Sequence, residues 1–230
     1  MEQERGDGRA ERPAELGPLP GGHHGLTREQ ILESQRERLL AAIAHEVAER
    51  GYGATTITEV VKLASVSTRD FYQHFENKEQ CFLAAFEAVR DHLEELVADA
   101  VADQPDWPHQ VIAALRAALG LFAAEPHLAR LALVEPVSAT PTIAIRFREA
   151  VLVCVPALER GRAEMRDGSS LPPSTEDSLL GGVVSLATRS ILAGQTEKLP
   201  ALLPDLIEFT LSPYLGAERA AELAHEFPTG

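Results

Sequence analysis

Several residue types that identify common protein classes are scarce in this sequence. Its 230 residues include only two cysteines, Cys81 and Cys154, which are far apart and lie in apolar helical patterns. A disulfide scaffold or a cysteine-ligated metal site needs more cysteines at closer spacing, so we expect two small buried apolar groups. No apolar run reaches the length of a membrane span, and no signal peptide is recognisable. These absences predict a cytoplasmic protein.

Catalytic motifs are missing as well. The sequence has no Gly-rich phosphate loop and no nucleophile elbow. His45-Glu46-x-x-Glu49 resembles part of a metalloprotease motif but lacks its second histidine. Glu222-x-x-His225 supplies only one half of a carboxylate-bridged metal site, which needs that spacing on two facing helices. The sequence therefore predicts no enzyme activity, no metal site and no cofactor.

The sequence also contains few basic side chains relative to acidic ones. The chain carries 35 acidic and 21 basic side chains, a formal net charge of −14. Residues 1–80 hold 10 basic and 14 acidic side chains, so most of the acidic excess lies in residues 81–230. A nucleic-acid partner favours Lys and Arg, and the charge therefore predicts only modest nonspecific affinity for DNA.

What the sequence does contain is a composition that favours helices. It is 45% apolar and 24% charged, with many Ala, Leu and Glu residues and no alternating strand pattern. A chain of 230 residues is long enough for one or two domains with a sizeable core. The composition indicates an all-α protein.

The stretch Thr55–Glu79 has the pattern of two short helices joined by a tight turn. Thr56 begins a Thr-x-x-Glu capping box that predicts the first helix. Ser67 caps the second helix, whose apolar side is formed by Phe71 and Phe75, four residues apart. Polar side chains point away from that side, namely Thr68, Arg69, Tyr72, Gln73 and His74. This arrangement is typical of a helix-turn-helix whose second helix lies in the major groove of DNA.

Extended to Gly51, this stretch resembles the DNA-binding domain of the tetracycline-repressor (TetR) family. The family pattern runs Gly-aromatic, Thr-Thr, Ile/Val, Ala-Gly-Val-Ser, Tyr-x-His-Phe and Lys-Glu. The resemblance covers Gly51–Glu79, 29 of the 230 residues. The matching positions are Gly51-Tyr52, Thr55-Thr56, Ile57, Val60, Ala64, Val66-Ser67, Tyr72, His74-Phe75 and Lys78-Glu79.

Two positions depart from the family pattern. Ser65 replaces the usual turn glycine and makes a positive φ less favourable. Asp70 replaces a small or hydroxyl residue in the recognition helix and repels phosphate. We interpret Asp70 first as a helix cap; the alternative is that it accepts a hydrogen bond from a cytosine amino group.

The resemblance implies an all-α fold with an N-terminal three-helix helix-turn-helix domain. A larger helical ligand-binding and dimerisation domain follows, giving about nine or ten helices in all. The expected boundaries are a disordered tail over residues 1–26, a DNA-binding domain over 27–80 and a second domain over 81–230. The expected DNA contacts are Thr56, Ser67, Thr68, Arg69, Tyr72, Gln73, His74 and Lys78, with Lys78 on a backbone phosphate.

The helices outside this stretch are predicted from caps and apolar stripes. A first helix follows capping boxes at Thr27 and Ser34. A long helix from Lys78 to about Val101, capped by Asn77 with Gln80 three residues on, links the two domains. Pro108, Pro126 and Pro141 each sit where proline opens a helix. Further helices are predicted over Thr142–Met165, Glu176–Ala193, Leu199–Leu215 and Ala217–Phe227.

Two of these segments, Glu176–Ala193 and Leu199–Leu215, are apolar around much of their circumference. A helix of this kind must be covered on two sides, and a partner subunit can supply the second side. The TetR resemblance implies that these helices pair into a four-helix interface. The expected interface residues are Gly181, Gly182, Leu202, Leu206 and Phe209.

A small-molecule pocket is expected from the resemblance alone, in the helices after Lys78. The candidates are polar or aromatic side chains in apolar surroundings, although core packing or surface pairing is the commoner role for each. The mostly apolar setting favours a hydrophobic effector. The candidate residues are Trp107, His127, Arg130, Glu135, Arg146, Thr188 and Arg189.

The leading hypothesis is a dimeric, ligand-responsive transcriptional regulator, expected to be a repressor. It would bind a palindromic operator of double-stranded DNA through two recognition helices about one turn, ~34 Å, apart. The alternative is an all-α enzyme or small-molecule carrier whose helix-turn-helix is only structural.

Overall fold

The computed structural model describes residues 27–165 and 171–227. The predicted tail over residues 1–26, with its proposed disorder, lies outside these residues. The described chain contains helices and connecting turns but no β-strand, so the all-α prediction is confirmed. The α-helices are α1 (Arg28–Arg50), α2 (Ile57–Ala64), α3 (Thr68–His74), α4 (Lys78–Ala102), α5 (Trp107–Ala124), α6 (Pro126–Leu133), α7 (Pro141–Leu152), α8 (Val155–Glu159), α9 (Thr175–Leu192), α10 (Leu203–Leu215) and α11 (Ala217–Glu226).

Three 3₁₀ helices complete the described fold, over Glu135–Val137, Arg160–Glu164 and Thr196–Leu202. Ten of the described α-helices are longer than the five residues of α8, in agreement with the predicted number. We call residues 27–80 the head and the described residues from 81 onward the body. Buried apolar residues form one continuous cluster that extends from the head into the body through α4.

Local capping signals form the helices of the head where the sequence predicts them. Thr27 and Thr56 each close a complete capping box, at the start of α1 and α2. Asn77 caps α4 by accepting a hydrogen bond from the Gln80 amide. The box predicted at Ser34 lies inside α1, because the helix already starts at Arg28.

The predicted helix Thr142–Met165 is wrong in its extent. The chain forms α7 to Leu152, turns through Val153 and Cys154, and starts the short α8 at Val155. Pro156 explains the break, because proline lacks an amide proton and its ring clashes with the preceding helical turn. The break leaves the Cys154 side chain exposed, so only Cys81 is the buried thiol that the sequence predicts.

The last apolar segment also begins differently from the prediction. Residues Thr196–Leu202 form a 3₁₀ helix with Pro200 inside it, and the α-helix starts only at Leu203. The terminal helix α11 packs along α10. The Phe227 ring lies beneath the Arg116 guanidinium of α5, with 4.6 Å between the guanidinium carbon and the ring centroid.

Candidate nucleic-acid interface

The start of α3 is fixed by a local hydrogen-bond cluster. The Ser67 hydroxyl accepts a hydrogen bond from the Asp70 amide at 3.0 Å and donates to Asp70 Oδ2 at 2.7 Å. The Gln73 amide group donates to Asp70 Oδ1 at 3.3 Å. Both carboxylate oxygens of Asp70 are therefore used within the helix. This geometry favours the interpretation of Asp70 as a cap over the cytosine alternative.

The outer side of α3 presents the polar row that the sequence predicts. Thr68, Arg69, Tyr72 and Gln73 are exposed, with Tyr72 56% exposed. Arg69 makes no hydrogen bond or ion pair with the described residues. A guanidinium on the first turn of an exposed helix has the reach and the paired donors for a base edge or a phosphate.

The inner side of α3 holds the helix in place. Phe71 is completely buried, and its ring lies 5.7 Å from the ring of Phe75. His74 faces α1, where its Nε2 lies 3.3 Å from Oε1 of Gln35. His74 is thus half-buried and is less available for DNA than the exposed residues of α3.

The turn between α2 and α3 places Ser65 in the conformation that its side chain makes less favourable. Ser65 adopts φ 53° and ψ 45°, the left-handed region that favours glycine. Arg38 of α1 donates from Nη1 to the carbonyl oxygens of Ala64 at 2.8 Å and Ser65 at 3.2 Å. These bonds satisfy carbonyl groups at the end of α2, which otherwise lack partners. Sequence reasoning missed Arg38 because its partners are 26 and 27 residues away.

Lys78 is held by the protein itself. Its Nζ donates to the carbonyl oxygens of Tyr52 at 2.7 Å and Thr55 at 2.8 Å, and lies 4.1 Å from the centre of the Tyr52 ring. Burial lowers the pKa of the ammonium group. An ammonium group has three N–H donors, so one is left for a phosphate. The predicted phosphate contact stays a prediction.

Thr56 is engaged as the cap of α2. Its hydroxyl accepts from the Glu59 amide at 3.3 Å and donates to Glu59 Oε2 at 2.9 Å. Glu59 also pairs with Arg50 of α1 at 2.7 Å. The structure therefore assigns Thr56 a capping role, and its predicted DNA contact stays a prediction.

Trp107 is predicted as an effector contact, but the structure places it in the core. It is buried, and its indole N–H donates to the Ala157 carbonyl at 2.8 Å. Its ring packs edge-on against Tyr214, and a Cβ on Gly161 would lie only 2.3 Å from it. Trp107 belongs to the packed core of the body.

Three further candidates lie at the junction between head and body. The His127 ring of α6 lies 4.5 Å from the His45 ring of α1. Glu135 is buried and accepts a hydrogen bond from the Tyr52 amide at 2.9 Å. Arg130 donates to the other oxygen of Glu135 at 3.2 Å. These contacts join the two parts of the molecule, which is a different role from the predicted effector contact.

Arg146 lies in a separate surface groove between α4 and α7. It pairs with Glu149 at 3.3 Å, and both side chains are more than half exposed. The groove has a volume of about 120 Å³ and a partly apolar floor that includes Phe86. Arg146 is therefore a surface residue.

Thr188 and Arg189 line a second, open groove of about 420 Å³ along α9. Gly181, predicted for the dimer interface, lines the same groove. Its remaining walls are mostly apolar and come from α6, from the Glu135–Val137 turn and from α9. They are formed by Leu133, Val137, Val184, Ser185 and Leu192.

The predicted dimer residues divide into two groups. Leu206 is completely buried within one protomer, so it is not an interface residue. Gly182 is covered by Phe209 of the same chain, since a Cβ there would lie 2.6 Å from the ring. Phe209 stays 42% exposed, Leu202 is half-buried and Gly181 is exposed. The apparent second apolar face of α10 is therefore partly protomer core. Its exposed part is Phe209, which lies next to α9 at Gly182.

In residues 27–165 and 171–227, no group of three or more His, Cys, Asp or Glu side chains is arranged to hold a metal ion. No single helix in this part of the chain is long and apolar enough to span a membrane. The segments Trp107–Ala124 and Pro126–Val137 pass that test only together, with a bend of 115° between them.

Comparison with known proteins gives relatives of one kind. FasR of Mycolicibacterium smegmatis, an HTH-type transcriptional activator, is 28% identical over 151 residues, which cover 65% of this chain and 67% of FasR. BepR of Brucella suis, an HTH-type transcriptional repressor, is 34% identical over 91 residues, which cover 39% of this chain and 44% of BepR. The chain thus spans less than half the length of BepR.

Solved structures show the same fold. FadR of Bacillus halodurans, a fatty acid degradation regulator, superimposes with a TM-score of 0.68 at 17% identity over 77% of this chain and 94% of its own. FadR of Bacillus subtilis, solved in complex with stearoyl-CoA, gives a TM-score of 0.66 at 18% identity over 76% and 97%. At these identities the likeness concerns the fold.

The head itself carries the family match. Residues 39–85 match the family described as bacterial regulatory proteins, tetR family. This range contains α2, α3 and the start of α4, together with the turn at Ser65. With this match, the regulator relatives and the shared fold, the chain is similar to bacterial regulatory proteins of the tetR family, and the family match itself lies in residues 39–85.

Proposed function

We propose that this chain is a ligand-responsive transcriptional regulator that binds a palindromic operator as a homodimer. The observation that carries this proposal is α3, whose outer side exposes Thr68, Arg69, Tyr72 and Gln73. Its inner side is fixed by Phe71 and by the cap at Ser67. A rigid short helix with exposed hydrogen-bonding side chains is suited to the major groove. We propose repression as the direction, as in BepR; FasR, an activator, is the precedent for the opposite.

The experiment that tests DNA binding is selection of genomic fragments by the full chain. The selected sequences should share an inverted repeat whose halves lie about one helical turn apart. Arg69→Ala should relax selection at one symmetric pair of positions if Arg69 contacts a guanine, at a cost of about 1–3 kcal/mol for the preferred base. If Arg69 contacts phosphate instead, all sequences should weaken alike.

Arg148→Ala is the matched control for this experiment. Arg148 is an exposed arginine of α7, so its removal changes the net charge equally but at a distance from the head. We expect the control to select the same sequences as the wild type. A wild-type chain that enriches no sequence would contradict the proposed function.

The proposed dimer interface is the exposed apolar surface along α9 and α10. Leu192 is 62% exposed and Phe209 is 42% exposed, and both are large apolar side chains on this side of the body. Exposed apolar surface of this kind is commonly covered by a partner. Helix pairs of two subunits would then form the interface about a twofold axis.

Leu192→Glu tests this interface. The charge should dissociate the dimer, because an unpaired carboxylate is costly to bury. Ile145→Glu is the control, since Ile145 is 58% exposed but belongs to α7. Sedimentation should give monomers only for Leu192→Glu. Dimers of both variants would place the interface elsewhere.

The proposed effector is an apolar acyl compound. The body is rich in apolar helices, and the fold resembles that of FadR of Bacillus subtilis, which was solved with stearoyl-CoA. Titration of the DNA complex with stearoyl-CoA, and with coenzyme A as the control, tests this class. Coupling between effector and DNA is typically about 1–3 kcal/mol and must be reciprocal, so DNA must weaken acyl binding by the same factor.

A further inference from the structure

Glu135 forms a buried contact between the body and the head. It begins the 3₁₀ turn Glu135–Val137, which follows α6, and the residue is 5% exposed. One carboxylate oxygen accepts a hydrogen bond from the Tyr52 amide at 2.9 Å, and the other accepts from Arg130 at 3.2 Å. The residues Glu135 and Tyr52 are 83 positions apart in the chain. A single carboxylate thus ties the turn between α1 and α2 to the body.

The turn that Glu135 holds has little room for change. Gly51 has φ 81°, in the left-handed region that favours glycine. A Cβ at this position would lie 3.5 Å from a carboxylate oxygen of Glu135, which is an ordinary contact, so the backbone angle is what restricts the residue. The Thr55 hydroxyl donates to the Gly51 carbonyl at 3.0 Å, which closes the turn. The Tyr52 amide is therefore presented to Glu135 in one fixed direction.

The same turn holds Lys78 from its other side. The carbonyl of Tyr52, whose amide binds Glu135, accepts a hydrogen bond from Lys78 Nζ. The carbonyl of Thr55 accepts a second bond from the same nitrogen. Lys78 is the first residue of α4 and is the predicted phosphate contact. A series of direct contacts therefore runs from Arg130 through Glu135 and Tyr52 to the ammonium group of Lys78.

The Glu135–Val137 turn also reaches the opposite side of the body. Val137 is 69% exposed and lines the groove along α9. Just before the turn, the Leu133 carbonyl accepts a hydrogen bond from the Thr188 hydroxyl of α9 at 3.1 Å. The residues that hold the head are thus anchored on the helix that carries the proposed dimer surface.

We propose that Glu135 is a positioning residue for DNA binding. It fixes the Tyr52 turn, and through that turn it places the Lys78 ammonium group where its remaining N–H can reach a phosphate. A shift of α6 or of the Glu135–Val137 turn then changes the phosphate contact without any change in α3. This inference rests on the proposed function, and it adds a route by which the body regulates the head.

The energetics favour a positional role over a purely stabilising one. Burial of the Glu135 carboxylate carries a desolvation penalty that offsets much of its attraction to the partly exposed Arg130, so this ion pair is weak evidence for stability. The hydrogen bond from the Tyr52 amide, in contrast, is directional and has a charged acceptor. Removal of the carboxylate should therefore free the turn in particular.

The test uses the full chain with Glu135→Ala, Glu135→Gln and the matched control Glu176→Gln. Glu176 is also a buried carboxylate paired with an arginine, Arg162, but it lies away from the head. Amide hydrogen exchange at Tyr52 and affinity for a duplex selected by the wild-type chain are measured over a range of salt concentrations. Both are measured well below the unfolding temperature of each variant.

Glu135→Ala should speed exchange of the Tyr52 amide about tenfold, because the amide loses a hydrogen bond to a charged acceptor. It should also weaken DNA binding. The dependence of the DNA affinity on salt concentration should fall by up to the amount that about one phosphate contact per subunit contributes. Glu135→Gln keeps an acceptor of the same shape and should have a smaller effect on both measurements. Glu176→Gln should lower thermal stability while leaving Tyr52 exchange and DNA affinity at wild-type values.

A double variant separates positioning from general loss of structure. If Glu135 acts through Lys78, then Glu135→Ala should weaken DNA binding little further in a Lys78→Ala background. Additive losses, or equal losses of affinity for the Glu135 and Glu176 variants, would overturn the proposal. Wild-type protein that selects no duplex would overturn the proposed function itself, before any variant is compared.

Discussion

The head and the body are built from helices of the same kind but are held by contacts of different range. Helices α1 to α4 all begin at a side-chain cap, supplied by Thr27, Thr56, Ser67 and Asn77. In the body, α5 and α7 have such a cap, whereas for α6, α8, α9, α10 and α11 the described residues show none. Cap bonds join residues three positions apart.

Long-range contacts take the place of caps in the body. Arg162 donates to Glu176, to which the Tyr214 hydroxyl also donates at 2.9 Å across 38 positions. The Trp107 indole reaches Ala157 across 50 positions. A helix start fixed by a local cap keeps its geometry when its surroundings move, whereas the body, and in the head the Tyr52 turn that is bound to Glu135, can change through distant contacts. This difference suits a protein in which a rigid helix α3 is joined to a body that can change its conformation.

The largest expected effect is on the buried carboxylate of Glu176 in the body. Glu176→Ala removes the ion-pair partner of the partly exposed Arg162 and the acceptor of the buried Tyr214 hydroxyl, so it should lower the free energy of unfolding by about 2–4 kcal/mol. Denaturant unfolding measures this loss. Glu222→Ala, which breaks the exposed pair with Arg219, should cost less than about 1 kcal/mol. Equal losses for the two variants would contradict the distinction between long-range contacts to a buried carboxylate and exposed local pairs.

A smaller loss is expected at the close approach of Trp107 to Gly161. Gly161→Ala places a Cβ 2.3 Å from the Trp107 ring and should destabilise the body by about 1–3 kcal/mol through overpacking. Gly120→Ala in α5 is the control, because nothing lies within 4 Å of its added Cβ. That change should stabilise the helix by about 0.5–1 kcal/mol. Thermal unfolding of both variants measures the difference.

In the head, loss of one local signal should have a moderate effect. Thr56→Ala removes the cap of α2 and should cost about 1 kcal/mol of stability. Thr58→Ala, on the exposed side of the same helix, should change stability by less than about 0.5 kcal/mol. Hydrogen exchange of the α2 amides measures the effect of both substitutions. If Thr56→Ala has no effect, α2 is held by packing rather than by its cap.

The same cap predicts that the stability of α2 depends on pH. Hydrogen bonds from the Thr56 amide and hydroxyl lower the pKa of Glu59, with a further contribution from the Arg50 charge. A carboxylate with a lowered pKa stabilises the folded state above about pH 4.3, the ordinary value for Glu. That stability is lost as the pH falls through the lowered pKa. Thr56→Ala should therefore reduce the acid sensitivity of α2 exchange.

The smallest expected effect is a gain. Ser65→Gly removes the cost of a side chain in the left-handed region and should stabilise the head by up to about 1 kcal/mol. Ser34→Gly, within α1, should instead destabilise by about 0.5 kcal/mol because glycine is a poor helix former. Unfolding of the two variants should move in opposite directions. A loss of stability for both would mean that the Ser65 side chain has an unrecognised partner.

The sequence predicts the head well because its determinants are close together. Thr56 with Glu59, Ser67 with Asp70 and Asn77 with Gln80 are each three residues apart, and each bond is present. The positive φ of Ser65 follows from its place in the turn. These signals are readable without knowledge of tertiary contacts.

The body is less predictable because its determinants are distant in sequence. Periodicity cannot distinguish an apolar side that faces the protomer core, as at Leu206, from one that faces a partner. Glu135 and Trp107 are polar or aromatic residues in apolar surroundings, a pattern that suits a ligand pocket as well as an internal contact. Pro156 indicates a break before α8, whereas the apolar stripe that includes Cys154 indicates one long helix. The two local signals disagree, and the stripe gives the wrong prediction.

The position of Trp107 has a practical consequence for spectroscopy. It is the only tryptophan in the chain, and it is buried in the body against Tyr214 and Gly161. Intrinsic indole emission therefore reports on the body and is insensitive to local opening of the head. Measured together with Tyr52 amide exchange, it gives one label-free signal for each half of the molecule. An acyl compound that shifts the indole emission before the head opens would reveal the order of events in regulation.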